Sequence, residues 1–384
     1  MVFKEGIGVY LHVPFCYTKC SFCPFYKELY SEKLKNSYVN SIVKEISKTT
    51  IEGQTKWIYF GGGTPNTLTI NDFSKIVDAL KEKVEIKNIG LELLPSLITR
   101  DYLEGLQSLG FTKISIGIET FTKETYKETG RKESTFTDIS EKISFAQSLG
   151  LHVAVDLMIG LPKQTKETFE DDIRKIIAIK PNQITIYPYM IIRGVTAKPS
   201  CTTKEQYILI EQAAESLLAA GYQRKSVWIF TLPKTNEEDI YDSSKDELVN
   251  NYCGFGPASF STYDTWKVVK PELAVWLNNI QNKEYFAFVA PKEKSTDDWR
   301  NFANKIYDLK LESSYQFPFY IRMFDNILRI FGYYKNGYLS DKGRYFSHEI
   351  TKAVVESLPF PIQNPNCITN YQEYLDFKAS HKLQ

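Results

Sequence analysis

The chain has 384 residues, 24% of them charged and 43% hydrophobic, a composition typical of a globular protein. Its 47 Lys and Arg residues nearly balance 46 Asp and Glu residues, and the net charge of +1 excludes a general polyanion-binding surface of the nucleic-acid type. No run approaches the roughly 18 apolar residues of a membrane span, and the first residues lack the features of a secretory signal. We therefore expect a cytoplasmic protein with one large α/β domain and a smaller appendage, or with two to three domains.

Six short apolar runs alternate with helix-like segments in the first half of the chain. This alternation predicts six strands of a parallel sheet with helices outside it, curled by right-handed crossovers into an open or closed barrel. Apolar residues occur at both alternating positions of these runs, as expected for a sheet covered on both faces. The predicted strands are Gly8–Val13, Trp57–Phe60, Ile89–Leu94, Lys113–Glu119, His152–Ile159 and Gln183–Tyr189.

Beyond about residue 195 the pattern changes. Lys204–Ala220 is predicted to be a helix, Gln223–Phe230 to be extended and Thr231–Asn251 to be a polar, loop-rich segment. Near the end, LRIFGYYKNGYLSDKGRYFSHEI predicts a helix, a hairpin and a second helix, as in a winged helix. These changes predict three units, namely 1–195, 196–265 and a smaller α+β domain at 266–384.

Polar residues and glycines lie late in the predicted strands or directly after them. Glu92, Glu119 and Asp156 come near the ends of three strands, and Gly61–Gly63 follows the second. In a βα barrel the carboxyl ends of the strands meet at one mouth, where active sites lie. The alternative is that each acid caps the next helix or is solvated in a loop.

Three of the six cysteines, Cys16, Cys20 and Cys23, fall within eight residues, which indicates a metal or redox site. Three thiolates can hold three irons of a 4Fe–4S cluster and leave the fourth iron open to a substrate. The alternative is a zinc site with a fourth ligand. His12 is nearby, but we expect it to be a packed barrel residue.

A glycine run, Gly61-Gly62-Gly63-Thr64-Pro65, lies one βα unit beyond the cysteines. Glycines after a strand allow backbone groups to approach a ligand closely, so this run is expected beside the cluster. Phe22, directly before Cys23, is a candidate for stacking on an adenine ring, with ordinary packing as the alternative.

These motifs resemble the radical S-adenosylmethionine (SAM) superfamily, and more closely its oxygen-independent coproporphyrinogen III dehydrogenase-like family. That family includes heme chaperones and SAM-dependent methyltransferase or cyclopropanase relatives. The resemblance covers roughly residues 8–190, with fainter matches at GYQ, GFGPASFS and YLSDKGRYFSHEI. The stretches that carry it are YLHVPFCYTKCSFC, YFGGGTPNTL, LELLPSLIT, ISIGIETF, TGRKES and VDLMIGLPKQT.

The resemblance implies a partial TIM-like (β/α)6 radical SAM barrel and assigns roles to single residues. Glu92 would contact the amino group of SAM, Arg131 its carboxylate, and Glu119 and Asp156 its ribose. Where Glu119 stands, the family more often has glutamine. The implied cluster ligands are Cys16, Cys20 and Cys23, and the implied SAM contacts are Phe22, Gly62, Gly63, Thr64, Glu92, Glu119, Arg131 and Asp156.

The family can bind a second SAM, and Tyr10, Tyr222 and Gln223 match positions implicated there. Tyr10 and Glu119 are also the predicted catalytic residues. The implied chemistry is reductive cleavage of SAM at a 4Fe–4S cluster, giving a 5′-deoxyadenosyl radical that abstracts hydrogen from a small-molecule substrate. The implied partner is an electron donor such as flavodoxin or ferredoxin, and neither nucleic acid nor a membrane span is expected.

Three branches of the family remain open. Decarboxylation of a porphyrinogen would call for basic pocket residues, for which Arg193, Arg224 and Lys225 are candidates. A heme chaperone typically has a histidine motif between residues 223 and 262, where this chain has no histidine; Cys253 is the nearby thiol, expected to be a buried small hydrophobe. The third branch uses a second SAM as a methyl or methylene donor. The aromatic tail, with Trp228, Trp266 and Trp276, would line a flat apolar pocket or form core.

Overall fold

The computed structural model describes most of the chain. Its described residues are 2–3, 8–51, 55, 57–191, 195–233, 252–262, 266–282, 287–291, 294–309, 316–335, 338–356 and 367–368. The polar segment predicted at Thr231–Asn251 lies almost entirely outside them.

Six parallel strands form the centre of the molecule, and their bounds confirm the predicted strands to within two residues. Along the sheet they run in the order β6-β5-β4-β3-β2-β1, and each neighbouring pair is parallel. Within the described residues β1 and β6 do not pair with each other, so the barrel is partial. The strands are β1 (Gly8–Val13), β2 (Trp57–Gly62), β3 (Ile89–Leu93), β4 (Lys113–Glu119), β5 (His152–Ile159) and β6 (Gln183–Pro188).

Helices connect these strands and cover the outer face of the sheet. Threonines cap four of them: each accepts a hydrogen bond from the backbone N–H three residues on, which satisfies a free N–H of the first turn. These threonines are Thr69, Thr99, Thr135 and Thr165. Each fully buried aliphatic side chain on their inner faces contributes roughly 1.5–3 kcal/mol. The helices are α1 (Glu32–Lys48), α2 (Ile70–Lys81), α3 (Arg100–Ser108), α4 (Lys123–Thr129), α5 (Phe136–Ser148) and α6 (Lys166–Ile179).

Successive residues of each strand point to opposite faces, and the two faces differ in chemistry. The outward residues, such as Val9, Leu11 and Val13 of β1, are fully buried in the core shared with the helices. The inward residues are mostly polar, aromatic or glycine, so the expectation of apolar residues at both positions holds for the outer face alone. These inward residues include Tyr10, Trp57, Tyr59, Glu92, Lys113, Ser115, Asp156, Gln183 and Thr185.

Further strands extend the sheet at both edges. On the β6 side, α7 (Thr203–Ala219) leads to antiparallel strands β7 (Gln223–Arg224) and β8 (Ile229–Thr231). On the β1 side, the next strand is parallel to β1, and each strand after it is antiparallel to its neighbour in the sheet. The helix α8 (Leu273–Asn282) lies between the third and fourth of these strands in the chain. Those strands are β9 (Tyr252–Phe255), β10 (Phe260–Thr262), β11 (Trp266–Val269), β12 (Ala287–Pro291) and, after the hairpin described below, β15 (Cys367–Ile368).

A buried carboxylate fastens this extension to the barrel. Glu45 of α1 accepts hydrogen bonds from Gly256 N at 2.9 Å and Trp276 Nε1 at 3.2 Å. Lys270 Nζ lies 2.7 Å from its Oε1. Because charge and hydrogen-bond partners are all supplied, this buried acid links three separate stretches of chain.

The chain continues through α9 (Lys294–Tyr307) to α10 (Phe319–Ile330), the hairpin strands β13 (Tyr334–Lys335) and β14 (Tyr338–Leu339), and α11 (Asp341–Glu356). This confirms the predicted helix, hairpin and helix. His348 of α11 accepts a hydrogen bond from Trp228 Nε1 at 3.2 Å, which joins α11 to the barrel edge. No described helix combines the length and apolar character that crossing a bilayer requires.

The turn from β9 to β10 tests the packing of the extension. A Cβ at Gly254 would overlap the Phe260 carbonyl oxygen, whereas Gly150 has open space and a left-handed φ of +79°. Gly150→Ala should therefore lose about 1–2 kcal/mol from backbone strain alone, and Gly254→Ala about 3 kcal/mol or more because backbone must move. Denaturant unfolding of both variants checks this order, and equal losses would contradict the packing.

Candidate active site

The carboxyl ends of β1 to β4 bring the candidate residues to one mouth of the barrel. Cys16 follows β1, the glycine run ends β2, and Glu92 and Glu119 end β3 and β4. Asp156 lies deeper than predicted, in the middle of β5 beside Gly117.

The cysteine loop is folded tightly by backbone hydrogen bonds. Tyr30 N donates to Cys16 O at 2.9 Å, and Cys23 N donates to Cys20 O at 3.2 Å. Lys27 Nζ donates to Cys23 O at 2.7 Å, which places a positive charge beside the thiols. Burial raises the pKa of the Cys16 thiol to about 11 and also raises that of Cys23. A metal that binds here therefore displaces protons, as thiolate ligation requires.

The donor set fits an iron–sulfur cluster. The thiols of Cys16, Cys20 and Cys23 are close enough to affect one another electrostatically. Within the described parts of the chain, no group of three or more His, Cys, Asp or Glu side chains is arranged to hold a single metal ion. A 4Fe–4S cluster needs no such convergence, since each thiolate binds a different iron.

The glycine run presses against the strand that leads to Cys16. Gly63 N donates to Val13 O at 2.8 Å, and a Cβ on Gly63 would lie 2.8 Å from Phe15 O. Thr64 Oγ1 then lies 3.2 Å from Cys16 Sγ. A larger residue at Gly63 would push this turn away, so the glycine is needed to place Thr64 at the thiol.

His12 is a packed barrel residue, as expected. It is buried, with Nδ1 3.3 Å from Tyr10 Oη and Nε2 3.1 Å from Tyr26 O. Burial lowers its pKa to about 4, so the ring is neutral at pH 7. A Cβ on Gly62, whose φ is +113°, would lie 2.8 Å from its ring.

Tyr10 and Glu92 approach each other across the last inward residue of β2. A Cβ on Gly61 would lie 2.9 Å from Tyr10 Cε2 and 3.2 Å from Glu92 Oε1. Gly61 therefore leaves space into which both polar side chains project. The structure brings this predicted SAM contact and this predicted catalytic tyrosine together.

A buried ion pair links the end of β4 to the cysteine loop. Arg131 Nη2 lies 3.5 Å from Glu119 Oε1, and both side chains are nearly buried. Arg131 also donates to Gly117 O and interacts electrostatically with Cys20. Glu119 follows a bulge in β4 and has a φ of +67°, a conformation that costs a non-glycine residue energy and is concentrated at functional sites.

The environment of Glu119 raises the pKa of its carboxyl toward neutral pH. Burial raises its pKa to about 7, with Arg131 opposing the shift and Asp156 adding to it. The pKa of Asp156 is also raised by burial, although Ser115 Oγ donates to its Oδ2 at 2.7 Å. Near pH 7 a protonated Glu119 can donate a hydrogen bond, the property a glutamine would supply.

Phe22 sits between two of the cysteines rather than in the main core. It packs with Leu161 and Tyr189, and Cys20 and Cys23 border this cluster. Arg131 Cζ lies 5.9 Å from the centre of its ring. This position fits both interpretations of Phe22: it packs against Leu161 and Tyr189, and it borders the cysteine loop where an adenine ring would stack.

The structure does not bring Tyr222 and Gln223 to this mouth. Tyr222 Oη donates to Pro181 O at 2.8 Å, just before β6 begins. Gln223 pairs with Thr231, which pairs with Gln183, the first residue of β6. Both residues therefore lie at the opposite end of the sheet. The three-residue match could not predict this, because it does not encode which end of a strand the segment joins.

The other side chains considered for a substrate pocket are also placed elsewhere. Arg224 forms an ion pair with Glu211 at 2.7 Å, and Lys225 Nζ donates a hydrogen bond to Gln223 Oε1 at 3.3 Å. Arg193 lies outside the described residues. Trp228, Trp276 and Cys253 are buried in the main core. The inner face instead carries an aromatic cluster of Trp57, Tyr59 and Tyr252, bordered by Tyr10 and Phe260.

Sequence reasoning missed a buried acid that holds two loops of the mouth. Asp172 of α6 accepts hydrogen bonds from Thr120 Oγ1 at 2.6 Å and Phe121 N at 2.8 Å, directly after Glu119. Gln164, whose Oε1 accepts from Gly160 N at 2.9 Å, lies 3.5 Å from the same carboxylate. Its apolar neighbours Phe169, Ile173 and Ile176 were a signal that residue 172 lies on or beside a buried face.

Comparison with known proteins agrees with this fold. Residues 10–176 match the family model described as the Radical SAM superfamily. Among curated proteins, the chain is 25% identical over 267 residues to the oxygen-independent coproporphyrinogen III oxidase of Salmonella typhimurium, covering 66% of this chain and 58% of that protein. It is 27% identical over 245 residues to the heme chaperone HemW of Escherichia coli, covering 61% and 65% respectively. The matched segment thus spans less than two thirds of either relative.

Among solved structures, the coproporphyrinogen III oxidase HemN of Escherichia coli superposes with a TM-score of 0.76 at 19% identity. The match covers 92% of this chain and 90% of that one, and it shows the shared fold. The family-model match, together with the partial barrel and its cysteine loop, identifies residues 10–176 as a radical SAM domain. The curated proteins that this chain resembles include coproporphyrinogen III oxidases and heme chaperones.

The raised pKa of Glu119 has a measurable consequence for stability. Between pH 4.5 and about 7 the folded protein keeps a proton that the unfolded chain loses, so stability falls as pH rises through this window. Glu119→Gln removes this loss. Its free energy of unfolding relative to the parent protein should rise by about 3 kcal/mol between pH 4 and pH 8. Denaturant titrations of metal-free protein measure it, and a pH-independent difference would contradict the assignment.

The hydrogen bonds to Asp172 predict a contrast between neighbouring residues. Asp172→Asn replaces an acceptor oxygen with a donor facing Thr120 or Phe121 and should lose about 1–3 kcal/mol of stability. Asp171→Asn, whose carboxylate pairs with exposed Arg174 and Lys175, should change stability by less than about 1 kcal/mol. Thermal unfolding of the two variants measures the difference in stability. Similar losses for both variants would argue against a structural role for the hydrogen bonds to Asp172.

Proposed function

We propose that this protein is an enzyme that cleaves SAM reductively at a 4Fe–4S cluster held by Cys16, Cys20 and Cys23. The observation that carries the proposal is the meeting of three thiols, a glycine turn and the Arg131–Glu119 pair at one mouth. When bound, the cluster would supply one electron to SAM and so generate a 5′-deoxyadenosyl radical for hydrogen abstraction.

The residues of this chain have distinct parts in that proposal. The Gly63–Thr64 turn would present backbone groups to the amino end of SAM, with Glu92 as its acidic partner. Arg131 would bind the carboxylate, for which its planar guanidinium is suited. Glu119 and Asp156 would hold the ribose hydroxyls. The buried walls of the barrel would exclude water from the reacting groups.

The substrate is proposed to be a flat, largely apolar molecule bound above the aromatic cluster of Trp57, Tyr59 and Tyr252. The named functions of the two relatives concern coproporphyrinogen III and heme. Tetrapyrroles are therefore the first class to test. Use of a second SAM as a methyl or methylene donor is a further proposal, for which Tyr10 is the remaining candidate at the mouth.

Three alternatives are separated by one set of assays. Decarboxylation would release carbon dioxide from a porphyrinogen, and methylation would transfer label from methyl-labelled SAM to the product. A heme carrier would bind heme stoichiometrically without substrate-dependent SAM consumption. Cys253 is not available as its ligand in this fold, because it is buried in the main core, where burial raises its pKa to about 12.

The proposed cluster is tested with matched cysteine variants. After anaerobic reconstitution and reduction, the parent protein should show broad iron–sulfur absorbance and form 5′-deoxyadenosine. Cys20→Ala should lose both, because one iron loses its ligand. Cys201→Ala, outside the loop, should keep both. SAM cleavage by Cys20→Ala at the parent rate would refute the proposal.

The same preparation separates SAM binding from cluster binding. Arg131→Gln removes the charge proposed to bind the carboxylate, so SAM affinity should fall roughly tenfold or more while the iron content is retained. Equilibrium binding and iron analysis measure the two quantities. Unchanged SAM affinity would exclude this role for Arg131.

A further inference from the structure

The outer face of α10 carries an exposed apolar stripe. Ile330, Phe319 and Phe331 are 81%, 72% and 65% exposed. Of the large apolar side chains exposed among the described residues, no other element contributes more than two. We define the stripe as Phe319, Tyr320, Met323, Ile327, Ile330 and Phe331.

Apart from Tyr320, whose Oη donates to Asp298 Oδ2 at 3.0 Å, the stripe is not part of the contacts described for this helix. The opposite face of α10 is already anchored, since Ile321 and Leu328 are buried in a core with Phe302 and Ile306. Phe319, Met323 and Ile327 follow at intervals of four residues and so line a different side of the helix. An apolar surface of this kind, contiguous and solvent-facing, marks a site of interaction.

Positive charges border the stripe. Arg322 and Arg329 lie on one flank of α10, and Lys342 Nζ donates to Phe331 O at 3.1 Å at its end. The acid of the helix, Asp325, lies 3.3 Å from Lys305 Nζ, accepts a hydrogen bond from Tyr334 Oη and forms an ion pair with Arg329 at 3.2 Å, so Arg322 and Lys342 are the flanking cations that it does not pair with. The exposed surroundings of the stripe are therefore mainly basic.

Size and charge together disfavour a second copy of the chain as the occupant. The six side chains of the stripe, at their exposed fractions, offer on the order of 600 Å², since one aromatic side chain measures about 150–250 Å². A stable interface needs about 800 Å² from each partner. In an antiparallel pairing of two such stripes about a two-fold axis, the arginine flanks of both copies would also face the same side and repel.

We propose that the stripe inserts into the interfacial region of an anionic lipid bilayer and holds the protein at the membrane surface. Protruding phenylalanine and isoleucine side chains would enter the acyl boundary, while Arg322 and Lys342 would meet the headgroups. The attachment is peripheral, consistent with the absence of a bilayer-crossing helix among the described ones. It is independent of the proposed enzymatic function.

The test is co-sedimentation of the full chain with vesicles of phosphatidylcholine alone or with phosphatidylglycerol at a ratio of 7:3. The protein should bind the anionic vesicles and dissociate at high salt. Phe319→Gln combined with Ile330→Gln should lower the partition coefficient about tenfold or more. Arg322→Gln should lower it about fivefold on anionic vesicles. Leu218→Gln, an exposed apolar residue on α7, is the matched control and should leave binding unchanged.

Two results of the vesicle assay would overturn the proposal. The first is failure of the parent protein to bind anionic vesicles, and the second is equal binding by the parent protein and the Phe319→Gln, Ile330→Gln double variant. A concentration-dependent dimer abolished by the same substitutions, measured by light scattering, would assign the stripe to a second copy instead. Because the substituted side chains are solvent-exposed, unchanged thermal unfolding is expected and confirms that the variants are folded.

Discussion

The strands of the central sheet must satisfy two environments at once, because their side chains alternate between the faces. Outward residues such as Val9 and Leu11 bury apolar surface against the helices and stabilise the fold. Inward residues are then free to be polar or small, and Gly61 and Gly117 leave space where Tyr10, Glu92 and Arg131 come close. The outer face thus supports an inner face whose ionisable groups would otherwise be unfavourable to bury.

Within that inner face, electrostatics connect the end of β4 to the cysteine loop. Arg131 contacts Glu119, the Gly117 carbonyl and the surroundings of Cys20, so a single guanidinium spans two elements that are far apart in sequence. Asp172 holds the turn that follows Glu119, and its own pKa is raised by burial to about 6. A substitution in this region therefore affects placement as well as charge.

Local sequence patterns predicted much of this architecture, but they could not predict contacts between residues that are distant in sequence. Strand bounds, the terminal hairpin and the glycine turn follow from residue spacing, since each is set by neighbours in sequence. The placement of Tyr222 depends on which strand end meets α7, and the burial of Asp172 depends on loops from β4 and β5. Which tryptophans face the barrel depends on strand register: Trp57 faces inward, while Trp228 joins the core. Short motifs do not encode such relations.

The pairing of β1 with β9 has a consequence for how the chain is made. Val9 pairs with Cys253, and nearly two thirds of the chain must be synthesised before that partner exists. Until then one edge of β1 presents unsatisfied backbone groups, the feature that promotes strand addition between nascent chains. Productive folding on the ribosome therefore depends on keeping the first strand shielded until the strand from the far half arrives.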